Sequence, residues 1–370
     1  MRLFIIVALS VWFLQHVLVF WRVSSLAWFQ AAPWRRRLLW GTGVLLLFSY
    51  PVARYAYRFG WEGTGLALEV LGTTWMGTLF LLFSGFVVLE LLTLGGWLFR
   101  TWLPRLRLGV VLSALALAAV AVVQGQRDPV LDERELRVPH LPKAQEGLRV
   151  ALLTDLHLGT RFDGGWLRRI EARLAGHKPD LILISGDFVD GDLHRVRPMI
   201  PDIATLRAPL GVWSVLGNHD VYAQADEAAA LLRQAGIGVL RDDSTQLAPG
   251  LRLVGVDDLG VRASSPNLAG RLDQAFSGLG KGEACIYLSH TPMLAEEAAA
   301  RGAGLMLSGH THAGQIWPFG YLVQLRFPLF AGEYRVGGMR VFVSRGAGGW
   351  GPRMRLWKPG QVHLFTLRGE

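Results

Sequence analysis

The first 125 residues contain apolar runs too long for the core helix of a small soluble domain. Residues 3–21 read LFIIVALSVWFLQHVLVFW, with only Ser10, Gln15 and His16 polar. About 20 such residues in a helix cross a hydrocarbon core of roughly 30 Å. Further runs lie at 38–53, bent or ended near Pro51, within 73–98, and at 108–124. We read residues 1–125 as a transmembrane region of about four helices. The first run is taken as a retained helix, because no small-x-small cleavage site follows it.

Charge divides the chain in the same place. Residues 1–127 hold 11 Arg against 3 Glu, while residues 128–370 hold 27 Lys and Arg against 26 Asp and Glu. The formal net charge of +9 therefore belongs to the membrane flanks, and no nucleic-acid partner is expected. Arg22, Arg35, Arg36, Arg37, Arg100, Arg105 and Arg107 would flank one side of the membrane. Arg2, Arg54, Arg58 and Arg127 would flank the other. The excess puts the first and third loops in the cytoplasm. Four spans then place the C-terminal domain outside the cell or inner membrane. Glu69 and Glu90 lie at membrane depth, where a carboxylate is either functional or held in helix packing. With no evident intramembrane partner for Glu90, packing is favoured, as it is for Gln15 and His16.

The chain is 51% hydrophobic and 18% charged, below the roughly one quarter charged residues of a soluble domain. A single cysteine, Cys285, excludes an intrachain disulfide and a thiolate metal cage.

Residues 126–147 are polar and proline-punctuated and read as a linker, with an extended piece at 134–139. From 148 to 370 short apolar runs recur at 149–154, 181–185, 211–216, 252–256, 284–289, 305–308, 340–344 and 362–367. Helical patterns at 165–176, 225–235, 267–277 and 293–301 separate several of them. Such alternation predicts an α/β layered domain.

Chemistry-bearing residues follow the strands. Asp155 and His157 follow the first, Asp187 the second, Asn218, His219 and Asp220 the third, His290 a later one, and His310 and His312 the next. Open α/β sheets place ligand sites at the carboxyl ends of their strands. In an extended segment residues i and i+2 share a side, so Asp155 with His157, and His310 with His312, can each reach one point. Oxygen and imidazole donors suit Zn, Mn or Fe. Seven ligands (Asp155, His157, Asp187, Asn218, His290, His310 and His312) are too many for one ion and suit two sharing a carboxylate. Two ions roughly 3.5–4 Å apart are a recurring device for phosphoester hydrolysis. His219, beside Asp220, is then the spare imidazole for acid catalysis. Asp190 and Asp192, in DFVDGD, read as a solvated turn. His140, His177, His194 and His363 have no motif context. Arg345 would either contact phosphate or brace its turn.

In this order the blocks Asp155-x-His157, Gly186-Asp187, Gly217-Asn218-His219-Asp220, His290 and Gly309-His310-Thr311-His312 resemble those of the calcineurin-like metallophosphoesterase superfamily. His312-Ala313-Gly314-Gln315 and Ser344-Arg345-Gly346 resemble its membrane-attached branch, which usually has Gly at the position of Ala313. The resemblance implies a two-sheet β-sandwich flanked by helices. It also implies one ion on Asp155, His157, Asp187 and His312, and a second on Asp187, Asn218, His290 and His310. His219 would be the acid, oriented by Asp220. The implied activity is hydrolysis of a phosphomonoester, phosphodiester or pyrophosphate by a metal-bridging hydroxide, with the membrane region suggesting a lipid-linked substrate. A non-catalytic membrane sensor or transport protein with a phosphatase-like domain, and a nuclease, are the alternatives.

Overall fold

The computed structural model describes residues 2–263 and 267–370, with side chains from Ile6 onward. Two compact units divide the chain: Met1–Gln126 with Gly351–Trp357, and Arg127–Trp350 with Lys358–Glu370.

Four long helices build the first unit: α1 (Arg2–Ser24), α2 (Pro33–Arg58), α3 (Glu62–Leu92) and α4 (Leu103–Gly125). Three described segments, Ile6–Ser24, Glu62–Leu92 and Leu103–Gly125, are long and apolar enough to cross a membrane. Helix α2 is long enough but carries Arg35, Arg36, Arg37, Arg54 and Arg58. It also runs through Pro51 instead of ending there. A proline has no N–H to donate to the carbonyl four residues back. That carbonyl, on Leu47, accepts the Trp12 indole N–H of α1 at 3.3 Å instead.

The carboxylates at membrane depth also have partners. Glu90 pairs with Arg22 of α1 at 2.8 Å, and Glu69 accepts the Tyr57 hydroxyl at 2.6 Å. The absence of a partner for Glu90 is thus corrected: its partner lies on another helix. His16 accepts the Trp75 indole N–H at Nε2 (2.9 Å), and its Nδ1 donates to the Trp12 carbonyl, so it joins α1 to α3.

The second unit opens with β1 (Val130–Val138), inside the segment read as a linker. There follow β2 (Arg149–Leu153), α5 (Gly164–Ala175), β3 (Leu181–Ser185), β4 (Val212–Val215), α6 (Asn218–Tyr222), α7 (Ala225–Gln234) and β5 (Gly238–Val239). Next come β6 (Asp243–Ala248), β7 (Leu251–Gly255), α8 (Leu268–Phe276), β8 (Ala284–Leu288), α9 (Ala295–Ala300) and β9 (Leu305–Ser308). The unit closes with α10 (Phe319–Arg326), β10 (Gly332–Val336), β11 (Met339–Val343) and β12 (Gln361–Gly369).

One sheet has the order β1-β12-β2-β3-β4-β5, the other β10-β11-β9-β8-β7-β6. Strand β12 lies between β1 (parallel) and β2 (antiparallel). From β2 to β5 the pairing is parallel, as it is from β7 through β8 and β9 to β11.

Alternation along each strand assigns the layers. Val150, Leu152, Leu181 and Leu183 meet Leu253, Ile286, Leu305 and Leu307 between the sheets. Their neighbours Ala151, Leu153, Ile182 and Ile184 face the other way, onto Trp166, Leu167 and Ile170 of α5 and Leu231 and Leu232 of α7. On the opposite side Cys285, Tyr287, Met306 and Val341 pack on Leu272, Ala275 and Phe276 of α8 and Ala298 of α9. The middle strands are covered on both faces, which is why they read as unbroken apolar runs.

Candidate metal centre

Every residue singled out as a ligand stands just past the carboxyl end of a central strand. Asp155 and His157 follow β2, Asp187 follows β3, Asn218 follows β4, His290 follows β8, and His310 and His312 follow β9. The backbone there is bent hard. Asp155, His157, Asp187, His310 and His312 all have positive φ, between 48° and 71°. Non-glycine residues seldom adopt that region, and such strain clusters at functional sites. Two glycines let the loops close. A Cβ on Gly217 would sit 2.2 Å from Asp187 Oδ1, and one on Gly309 would sit 2.3 Å from Asp155 Oδ2.

The donor atoms converge. His157 Nε2 lies 3.2 Å from His312 Nε2, and His312 Nε2 lies 3.3 Å from Asp155 Oδ1. Asp187 Oδ2 is 3.6 Å from His157 Nε2 and 3.1 Å from His290 Nε2. His310 Nδ1 is 2.9 Å from Asn218 Oδ1. Two donor groups emerge, Asp155 with His157 and His312, and Asp187 with His290 and His310. A third joins His157, Asp187 and His219, so Asp187 is common to two groups.

The set fits divalent ions. Asp155 Oδ2 is buried without a hydrogen-bond donor among the described residues, while Oδ1 accepts the His310 backbone N–H at 3.0 Å. The carbonyl of Ser185 can only accept, so His290 donates to it from Nδ1 at 2.8 Å, which leaves Nε2 facing Asp187 as the atom an ion would take. Cys285 lies buried in β8 and contributes nothing here.

Electrostatics follow from burial and crowding. Burial pushes the Asp187 carboxyl up, but the imidazoles of His290, His157 and His219 outweigh it and hold it below the usual range. Burial opposes a charge on His290, yet Asp187 raises it well above the ordinary imidazole value. His310 is lowered, by burial and then by the neighbouring His290.

His219 sits at the rim, its ring 23% exposed and edge-on to His157. Its orienting partner is not Asp220. His219 Nδ1 meets Asp190 Oδ1 at 3.2 Å, and the same oxygen lies 3.6 Å from His157 Nδ1. Burial opposes ionisation of both groups, but their contact raises His219 and lowers Asp190. Asp190 is therefore the residue that the turn reading of DFVDGD overlooked. Its signal was the spacing from Asp187, which brings it back over the same site.

Asp220 is fully buried and accepts the backbone N–H groups of Phe188 (3.2 Å), Val189 (2.9 Å) and Gly217 (2.8 Å). Burial and the Asp187 charge push its carboxyl up to about 6. Consecutive helix residues point about 100° apart, so a carboxylate next to His219 in sequence need not face it. Asp220 pins the Asp187 loop to the Gly217 turn.

His363, which has no motif context, also supports the site. Its buried ring donates from Nδ1 to Asp132 at 3.1 Å, and Nε2 accepts the Ser344 hydroxyl at 3.0 Å. Ser344 Oγ in turn accepts the Gly346 N–H, and Gly348 N–H donates to the Asp155 carbonyl. Arg345 donates from Nε to Gln361 at 2.7 Å, a contact that braces its turn.

A family model described as calcineurin-like phosphoesterase matches residues 148–314, which contain all the ligand candidates. An uncharacterized metallophosphoesterase of Helicobacter pylori is 30% identical over 264 residues, 71% of this chain and 70% of that protein. The chain belongs to the calcineurin-like metallophosphoesterases. A second metallophosphoesterase, from Aquifex aeolicus, is 31% identical over 247 residues, covering 65% of this chain and 92% of the relative. A transmembrane protein with metallophosphoesterase domain from Danio rerio is 32% identical over 272 residues. The match covers 70% of this metallophosphoesterase but only 62% of the zebrafish protein's length.

Proposed function

We propose that the chain is a membrane-anchored binuclear metallophosphoesterase that hydrolyses a phosphomonoester, phosphodiester or pyrophosphate bond. Asp155, His157, Asp187 and His312 would hold one divalent ion. Asp187, Asn218, His290 and His310 would hold the other, with Mn, Zn or Fe suited to these donors. Two ions held there would supply Lewis-acid polarisation of the phosphoryl oxygens and an activated water.

The chain's own residues do the rest. Asp190 favours the protonated form of His219 and holds its ring at the site, where the imidazolium would give a proton to the leaving oxygen. Asp220 and the strained loop backbones fix the donors before substrate arrives, which spares reorganisation during the reaction. The observation that carries this reading is Asp187, whose carboxylate is common to two donor groups.

The apolar helices support a lipid-linked phosphoester as substrate. With α2 as a fourth span, the arginine bias would place the catalytic domain outside the cytoplasm; with three spans it would place it inside. The test is Asp187→Asn in the full-length protein. Metal content should fall below two per chain, and hydrolysis of bis-p-nitrophenyl phosphate should disappear. Full turnover in that variant would overturn the assignment.

A further inference from the structure

Just past the metal ligand His312 the chain does something a soluble domain normally avoids. Helix α10 buries none of its residues. On it and its lead-in, Trp317, Phe319, Tyr321, Leu322 and Leu325 are exposed, Leu325 to 84%. Among the described residues of the same unit, the other large apolar side chains so exposed are Val130, Tyr222 and Trp350, each apart in sequence. Single exposed apolar residues are ordinary, but a contiguous patch marks an interaction surface.

The helix is held firmly against the site. Thr311, between two ligands, donates its hydroxyl to the Phe330 carbonyl at 2.6 Å. The ring of Phe327 meets that of His310 edge-on at 4.9 Å. Gly314 crosses Gly320 so closely that a Cβ on Gly314 would stand 2.2 Å from Gly320 Cα.

Charge selects the occupant. From Ala313 to Ala331 there is no Asp or Glu, and the only charged residue is Arg326. Lys358 lies over the Phe330 ring at 5.7 Å. Trp, Tyr and Phe beside Arg and Lys, without acids, is the composition of a segment lying at an anionic lipid–water boundary. The same chain carries three helices able to cross a bilayer, so a lipid surface is its constant neighbour.

We infer that α10 is an interfacial helix that seats the metal centre on the bilayer surface, with Trp317, Phe319, Tyr321, Leu322 and Leu325 in the acyl boundary. This deepens the phosphoesterase reading by presenting the site to phosphoesters at headgroup level.

The test reads location without depending on activity. Cys285 is buried, and burial pushes its thiol up to about 12, so an introduced cysteine is labelled selectively. Full-length Leu325→Cys and, as an aqueous control, Lys281→Cys are labelled with an environment-sensitive fluorophore. Both are reconstituted into vesicles of phosphatidylcholine and phosphatidylglycerol. At position 325 we expect blue-shifted emission, at least threefold stronger quenching by nitroxide lipids than at 281, and protection from iodide.

Water-like emission with iodide quenching equal to that at 281 would overturn the inference. So would shielding from both quenchers, which is the mark of a protein contact. Tyr321→Cys combined with Leu322→Asp and Leu325→Asp should return the label to the aqueous state. Retained lipid quenching in that variant would also overturn the inference. Turnover of bis-p-nitrophenyl phosphate by the unlabelled parent is scored separately, and its absence would count against the phosphoesterase reading alone.

Discussion

Replacing Asp220 by Ala separates two roles that adjacency to His219 confuses. In the structure this carboxylate serves three buried backbone donors, on Phe188, Val189 and Gly217. Each donor left without a partner costs about 1–3 kcal/mol. Relaxation and an entering water return part of that sum, and the mutation also removes a buried charge. We therefore expect a net loss of about 4 kcal/mol, toward the lower end of the three-donor total. For a domain of this size about 1 kcal/mol shifts the melting point by about 2–4 °C, which predicts a fall of roughly 8–16 °C. The assay is thermal unfolding of the detergent-solubilised protein at saturating metal, with metal content measured by elemental analysis. Asp220→Asn keeps one acceptor oxygen and should recover part of the loss. The reasoning is refuted if Asp220→Ala melts within about 2 °C of the parent while hydrolysis collapses. That result would return Asp220 to the role of orienting His219.

Asp190→Ala should behave in the opposite way, lowering turnover by about 100-fold, within the range expected for a lost acid–base contribution, with melting and metal content nearly unchanged. Loss of metal there would make Asp190 a support of His157 instead. Gly217→Ala drives a methyl against Asp187 and should reduce bound metal together with stability, which elemental analysis and melting would show. The Asp132–His363 pair predicts acid sensitivity. The His363 hydrogen bond draws Asp132 down to about 2, and burial lowers His363. Both groups bind protons more readily in the unfolded chain. Stability should thus be full at neutral pH, fall as pH drops below the ordinary imidazole value of 6.5, and fall again from 3.8 toward about 2. In His363→Phe the first decline should flatten, and an unchanged slope of melting point against pH would exclude this pair as its source. Stripping the ions with a chelator should lower the melting point, because ions that bind only the folded state stabilise it by about 2.7 kcal/mol at a hundredfold excess over Kd.

The middle of the fold was legible because strands buried on both faces write themselves as unbroken apolar runs, as in LILIS of β3 and ACIYL of β8. The candidate ligands were legible because each follows such a run. Strands β6 and β10 were not, and β1 only in the extended piece at 134–139, since their mixed polar sequences gain their order from a neighbour. The partner of Glu90 was hidden on another helix. Asp190 was hidden by its turn-like context, and the role of His363 by partners on β1 and beyond β11. Helix α10 escaped because it buries no face, so its apolar residues follow no core-facing period.

The placement of β12 has a bearing on biogenesis. It is the latest strand in chain order, yet it fills an inner position beside β2, whose end carries Asp155. While the ribosome is still translating, the emerging sheet has a gap between its first two strands. A message cut short before codon 361 would leave both flanking edges open to stray pairing. Assembly of this candidate metal centre is thereby deferred until after the apolar N-terminal helices have been made.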